Sequence, residues 1–158
     1  MSFTEYADYD GLGLAALVKK GEVSPAELVE AAIERIERHN PTLNAVVHKA
    51  YDEARKVAAE PLPEGPFQGV PFLIKDLGAQ VKGWPRSSGS NYAQVAADAA
   101  DSELIRRYRN SGVVLLGKTN TPEFGIPGVT QSERLGPCGN PWNPEHISGG
   151  SSGGAASA

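Results

Sequence analysis

The 158-residue chain is short of several things, and each shortage excludes a class of protein. Cys138 is its single cysteine, so it has no internal disulfide and no multi-cysteine zinc cage, in keeping with a reducing compartment. Positive charge is not in excess: 15 Lys and Arg stand against 19 Asp and Glu, a formal net charge of −4. Neither a phosphate backbone nor an anionic membrane surface is attracted to that balance, since both need clustered basic side chains. No apolar run approaches the roughly 20 residues that span a bilayer; the most apolar are Val113-Val114-Leu115-Leu116 and Val70-Pro71-Phe72-Leu73-Ile74. The start, Met1-Ser2-Phe3-Thr4-Glu5, is acidic where a signal peptide is basic, and no apolar segment follows it. No Asp, Glu or His set has metal-ligand spacing. These shortages predict a cytoplasmic globular protein without metal, cofactor, nucleic-acid partner or membrane contact. The 40% hydrophobic and 22% charged content is otherwise that of an ordinary folded domain.

What is present is unevenly spread. Residues 1–60 hold 11 acidic and 7 basic side chains but only 3 of the 18 glycines and 2 of the 12 prolines. An N-terminal helical segment over 1–60 followed by an α/β part over 61–158 is therefore expected. Ser24-Pro25-Ala26-Glu27 reads as a capping box with proline at the first helical position. Leu28, Val29, Ala32, Ile33 and Ile36 then recur at helical spacing, with Glu30, Glu34, Arg35, Glu37 and Arg38 opposite, until Asn40-Pro41 ends the helix. A shorter helix is expected over Gly11–Lys20, stopped by Gly21, and another over Tyr51–Ala59. The charges on these helices read as a solvated face, and His39 and His48 as surface residues.

From Pro61 the reading changes. Phe67–Ile74 is a short apolar run bounded by proline and glycine, the pattern of a buried strand, with Lys75-Asp76 at its end. Asp101 or Ser102 caps a helix through Asn110 with Leu104, Ile105 and Tyr108 inward, and Gly112 stops it before a second buried strand at Val113–Leu116. Strand, helix, strand is the order of an α/β protein. Residues 119–150 have no periodicity and are rich in Gly, Pro, Asn and Ser; a loop of that length usually builds a site.

Two strings in this half match well-known expressions for the wrong physical reason. Gly112-Val113-Val114-Leu115-Leu116-Gly117-Lys118-Thr119 satisfies the nucleotide-binding P-loop pattern. Its four variable positions are the strand itself, however, and Asn120-Thr121-Pro122 opens no long helix, so a strand end punctuated by glycines is the better reading. Gly149-Gly150-Ser151-Ser152-Gly153 satisfies the nucleophile-elbow pattern, which needs a strand before the serine and its histidine after it. Here Pro141–Ile147 reads as loop, and all three histidines precede the serine. Cys138 and His146, a thiol and an imidazole in one loop, are read as coincidence.

A third match is an ordered set. Gly69-Val70-Pro71-Phe72-Leu73-Ile74-Lys75-Asp76 is followed by Gly117-Lys118-Thr119-Asn120-Thr121-Pro122-Glu123-Phe124-Gly125. Asn140-Pro141-Trp142-Asn143 and Gly149-Gly150-Ser151-Ser152-Gly153-Gly154 come next. Together they resemble the amidase signature family of Ser-Ser-Lys amide hydrolases, across essentially the whole chain. The first two segments look more like general and lactam-type amidases than the tRNA-dependent amidotransferase A subunit.

The resemblance implies helices packed around a mixed β-sheet that is incomplete in this chain. It carries the catalytic lysine onto Lys75 and the bridging serine onto Ser151, with the peptide bond before Ser151 in the cis form. Chemically the pair is coherent, because a serine hydroxyl needs a base, and a lysine amine serves only if burial lowers its pKa. Gly150 would relieve crowding at the cis bond, and Ser152 would support the turn. Phe124 and Gly125, with Ile126 and Pro127, match a loop that lines the acyl pocket of similar enzymes. In the family the attacking serine lies a couple of dozen residues beyond the bridging one, in a Gly-Gly-Ser segment. The chain is thus expected to be the N-terminal portion of an amidase, cut before its nucleophile and inactive alone. Strands left without neighbours would favour self-association or a homo-oligomer. A small-molecule amide is the expected substrate. The alternatives are a binding module that kept the scaffold without its chemistry and a tRNA-dependent amidotransferase A subunit.

Overall fold

The first helix, α1 (Gly11–Lys20), begins where the Asp10 carboxylate accepts the Gly13 amide at 2.7 Å and ends at Gly21, whose φ of 72° is left-handed. Residues 3–93 and 96–158 are described in this computed structural model. Helix α2 (Pro25–Leu43) opens with the expected capping box: the Glu27 amide donates to Ser24 Oγ at 3.2 Å and the Ser24 amide to Glu27 Oε2 at 2.8 Å. It continues past Asn40-Pro41 by most of a turn. The stop is Asn44, which takes φ 48° and returns its amide to the Asn40 carbonyl at 2.8 Å.

Strand β1 (Val46–Lys49) follows, between two expected helices and inside the segment expected to be helical as a whole. Then come α3 (Tyr51–Ala58), β2 (Pro71–Lys75), α4 (Glu103–Asn110) and β3 (Val114–Thr119). The three strands form one sheet in the order β1-β3-β2. β1 is antiparallel to β3, with Val46 opposite Thr119 and Lys49 opposite Gly117. β2 and β3 run the same way, since the Val114 amide meets the Val70 carbonyl at 2.9 Å and the Asp76 amide the Thr119 carbonyl at 3.1 Å. The sheet is therefore mixed. The strand expected over Phe67–Ile74 starts four residues late, because Phe67 to Val70 forms a turn in which the Val70 amide bonds the Phe67 carbonyl. β3 extends to Thr119, and every one of its residues is buried.

Beyond Thr119 lie a 3₁₀ turn at Glu123–Gly125 and two ribbons, β4 (Gln131–Ser132) with β5 (Gly136–Pro137) and β6 (Gly139–Asn140) with β7 (Asn143–Ile147). β7 corrects the reading of Pro141–Ile147 as loop: Gly139 pairs with Ile147 and Asn140 with Asn143, and such pairing overrides a composition containing Asn and Pro. Helix α5 (Gly153–Ser157) closes the chain.

Two compact units interleave along the sequence, one of Met1–Glu37, Ala50–Phe72 and Arg106–Leu116, the other of Arg38–Lys49, Leu73–Ile105 and Gly117–Ala158. In the first, Leu14, Ala15, Leu17, Val23, Leu28 and Val70 form a buried cluster against which Phe3, Tyr6, Val18 and Phe67 pack. Arg55 ties α3 to α2 through Glu30, with nitrogen to oxygen distances of 2.6 and 3.0 Å. The expected inward face of α4 is half right: Ile105 is buried and Tyr108 packs on Phe72 at 5.0 Å between ring centroids, but Leu104 is 48% exposed. An eight-residue helix has only two turns, so one apolar position falls off the packed stripe. In the second unit His48, expected at the surface, is half-buried with its ring 5.1 Å from that of Trp84. Among the described residues no helix is long and apolar enough to cross a membrane.

Leu28 has no exposed surface, so Leu28→Ala is expected to cost about 2–5 kcal/mol of stability. Urea unfolding followed by circular dichroism measures it, and a loss below about 1 kcal/mol would show that the cluster does not hold this unit together.

Candidate active site

Lys75 is the last residue of β2, and β3 beside it fixes the height at which its side chain leaves the sheet. Its Nζ donates to Ser151 Oγ at 2.9 Å and to Ser152 Oγ at 3.0 Å. Partial burial lowers the Lys75 pKa from the ordinary 10.5, because an ammonium loses hydration there.

The serines reach the lysine because their loop is anchored on both sides. The Ser148 amide bonds the Cys138 carbonyl at 3.1 Å, and the Thr130 amide the Gly149 carbonyl at 2.8 Å. After the serines, the Gly153 amide donates to Thr130 Oγ1 at 3.0 Å and the Gly154 amide to the Asn120 carbonyl at 3.2 Å. Thr121 Oγ1 donates to the Ser151 carbonyl at 3.5 Å. The Gly150–Ser151 peptide bond is cis. A Cβ on Gly150 would stand 2.8 Å from the Gly128 carbonyl carbon, closer than side chains tolerate, so only glycine lets the loop lie against that backbone.

Gly125 and Phe124 occupy the turn next to this loop. A Cβ on Gly125 would meet the Leu77 side chain and come within 3.7 Å of Ser151 Oγ, so the bare Cα forms part of the wall around that hydroxyl. Phe124 sits at φ 51°, its amide bonded to the Ser88 carbonyl at 2.8 Å, and the residue is 51% exposed. The geometry thus brings Lys75, Ser151, Ser152 and Gly125 together, while Phe124 is half exposed. Ser152 bonds the lysine as closely as Ser151 does, a contact that its reading as a turn support missed.

Behind Lys75 lies a buried polar cluster. The Asp76 carboxylate accepts from Ser87 Oγ at 2.5 Å and from the Ser87 amide at 3.2 and 3.3 Å, and Lys118 Nζ stands 3.5 Å from Asp76 Oδ1. Lys118 has no exposed surface and donates to the Pro85 carbonyl at 2.6 Å. Burial pulls its pKa down, with Asp76 and Asp98 opposing that pull. The P-loop string is accordingly a strand whose lysine is locked inside the protein. The one visible signal was a lysine interrupting an apolar, fully buried strand. Cys138, also read from sequence, is buried, and His146 is exposed on β7.

Comparison with known proteins gives the arrangement its context. The sequence matches the family described as Amidase over residues 27–158. The chain belongs to the amidase family. A protein of Mycobacterium tuberculosis bearing an amidase name, AmiC, is 44% identical over 149 residues, which are 94% of this chain and 31% of that one. The A subunit of the glutamyl-tRNA(Gln) amidotransferase of Salinispora arenicola is 38% identical over 165 residues, covering 98% of this chain and 33% of that protein. A solved structure of a 6-aminohexanoate cyclic dimer hydrolase superposes with a TM-score of 0.86 at 40% identity, over 95% of this chain and 31% of the hydrolase. The chain therefore spans about a third of the length of these amidase relatives.

The lowered Lys75 pKa has a definite sign. The folded state binds fewer protons than the unfolded one between the folded pKa and 10.5, so the burial penalty on the ammonium is full below that window and is lifted as pH rises through it. Lys75 is expected to be acetylated in competition at lower pH than an exposed lysine, which peptide mapping by mass spectrometry reads site by site. A midpoint for Lys75 at or above that of the exposed lysines would contradict the geometry.

Proposed function

We propose that these residues carry the lysine and the bridging serine of an enzyme that hydrolyses small carboxylic amides to acid and amine or ammonia through an acyl-serine intermediate. The observation that carries the reading is the 2.9 Å bond from Lys75 Nζ to Ser151 Oγ at a lysine whose pKa burial lowers. A neutral Lys75 amine accepts the Ser151 proton while Ser151 takes the proton of an attacking serine. That serine's oxygen adds to the amide carbonyl carbon. Collapse of the tetrahedral adduct breaks the C–N bond, and the proton held on Lys75 returns through Ser151 to the leaving nitrogen. Water then repeats the sequence on the acyl-serine and releases the acid. In this reading Gly125 and Phe124 contact the acyl group, Gly150 and Ser152 shape the serine turn, and the reaction needs no cofactor.

In this reading the attacking serine is neither Ser151 nor Ser152. Ser151 and Ser152 both bond Lys75 directly, which suits a relay and its neighbour more than a nucleophile one step further out. The 158-residue chain alone is accordingly inactive in this reading, and a longer protein that carries the attacking serine is the hydrolase. A second reading, an amidotransferase component that releases ammonia for transfer to a tRNA-bound amino acid, is favoured by the 38% identity to the Salinispora protein. The two differ in dependence on partners: a longer protein that cleaves simple amides alone is the hydrolase.

In that longer protein, Lys75→Ala and Ser151→Ala should each lower kcat on a simple amide by about 10²–10⁴-fold. The wild-type rate should rise with pH as Lys75 loses its proton, below the ordinary lysine range. Undiminished turnover by Lys75→Ala would refute the assignment.

A further inference from the structure

Leu77 stands two positions beyond Lys75, and the proposed chemistry gives it no part. Successive side chains of an extended chain point to opposite sides, so Lys75 and Leu77 leave the end of β2 on one side and Asp76 on the other. The contacts agree with that alternation. Lys75 reaches Ser151 and Ser152, Asp76 reaches Ser87, and the tip of Leu77 takes the place that a Cβ on Gly125 would need. That same Cβ position is 3.7 Å from Ser151 Oγ, so Leu77 and the Ser151 hydroxyl border one small space beside the bare Cα of Gly125. The backbone on either side of Leu77 is fixed: the Asp76 amide bonds the Thr119 carbonyl at 3.1 Å, and the Ala79 amide the Leu77 carbonyl at 3.0 Å. Leu77 is half-buried and keeps surface to offer a ligand, and Phe124 and Ile126, on either side of Gly125, are apolar and exposed.

We propose that Leu77 is a specificity-determining residue: it forms a wall of the acyl subsite and selects amides of straight-chain alkyl acids over their branched isomers. The inference rests on the reading of Ser151 as the bridging serine and of Gly125 as an acyl contact. An attacking oxygen within hydrogen-bond reach of Ser151 Oγ, about 2.5–3.0 Å, holds the acyl carbon one bond further on. The first carbons of the acyl chain then enter the space that Leu77 and Gly125 border. A straight chain passes the Leu77 methyl groups and gains apolar contact with them, whereas a branch at the carbon next to the carbonyl collides with them.

Two measurements test it. In a longer protein that carries the attacking serine, butanamide should be cleaved with a kcat/KM about tenfold or more above that of its isomer 2-methylpropanamide. Leu77→Ala should shrink that ratio to about threefold or less by raising the rate on the branched amide, and Leu77→Val, the milder change, should shift it the same way. In the 158-residue chain, the N-hydroxysuccinimide esters of butanoic and 2-methylpropanoic acid label Lys75, whose amine lies 2.9 Å from Ser151 Oγ, and the exposed lysines serve as the internal reference. Relative to them, Leu77→Ala should raise branched over straight labelling of Lys75 about three- to tenfold, read by peptide mapping with circular dichroism as the check on folding. Leu77→Val carries both measurements if Leu77→Ala does not fold. A straight-to-branched ratio that stays at the wild-type value in the folded variants, in either measurement, overturns the proposal. The catalytic reading fails separately, through undiminished amide turnover by Lys75→Ala, because the labelling ratio reports on the space beside Ser151 whether or not Lys75 is a base.

Discussion

A lysine amine that leaves the end of a strand into partly buried space, with two hydroxyls as its partners among the described residues, is held toward its neutral form. The surroundings of Lys75 follow from that requirement. The parallel pairing of β2 with β3 sets where the side chain emerges. Its acidic chain neighbour, Asp76, is directed to Ser87 and Lys118 instead. A carboxylate in direct contact with Lys75 would have kept the proton on the amine and left the same residues without a base.

The serine side of the site obeys a different constraint, close approach of backbone to backbone. Residues 148–154 lie between the carbonyls of Cys138 and Asn120 and the hydroxyl of Thr130, and they fit there because the positions that approach most closely are glycines. The Gly-Ser run therefore has the composition of a flexible linker and the hydrogen bonding of a fixed loop. Ser151 and Ser152 are both delivered to one amine, and the bare Cα of Gly125 leaves room beside the first.

What could be read from the sequence divides along physical lines. Helix α1 and the start of α2 were legible almost to the residue, because local chemistry sets them through Asp10, Gly21 and the Ser24 and Glu27 box, whereas α2 runs past Asn40-Pro41 to Leu43. Strands β1 and β7 were not, since four residues of VVHK and five of NPEHI become strands only through partners, β3 and β6, that are remote or irregular. The pairing of Lys75 with a serine 76 residues away could be anticipated only through family resemblance, as no local periodicity links them. Lys118 was concealed by a string that fits a phosphate-binding pattern, and the contact of Ser152 with Lys75 is visible only in three dimensions.

The central claim is that Ser151 relays a proton and is not itself acylated. Intact mass after treatment with a fluorophosphonate, which phosphonylates activated serines whatever their natural substrate, tests it most directly. The relay reading predicts no adduct on the 158-residue chain. In a longer protein that carries a separate nucleophile it predicts a single adduct at that serine, lost in Lys75→Ala. An adduct on Ser151 or Ser152 would contradict it and make one of them the nucleophile.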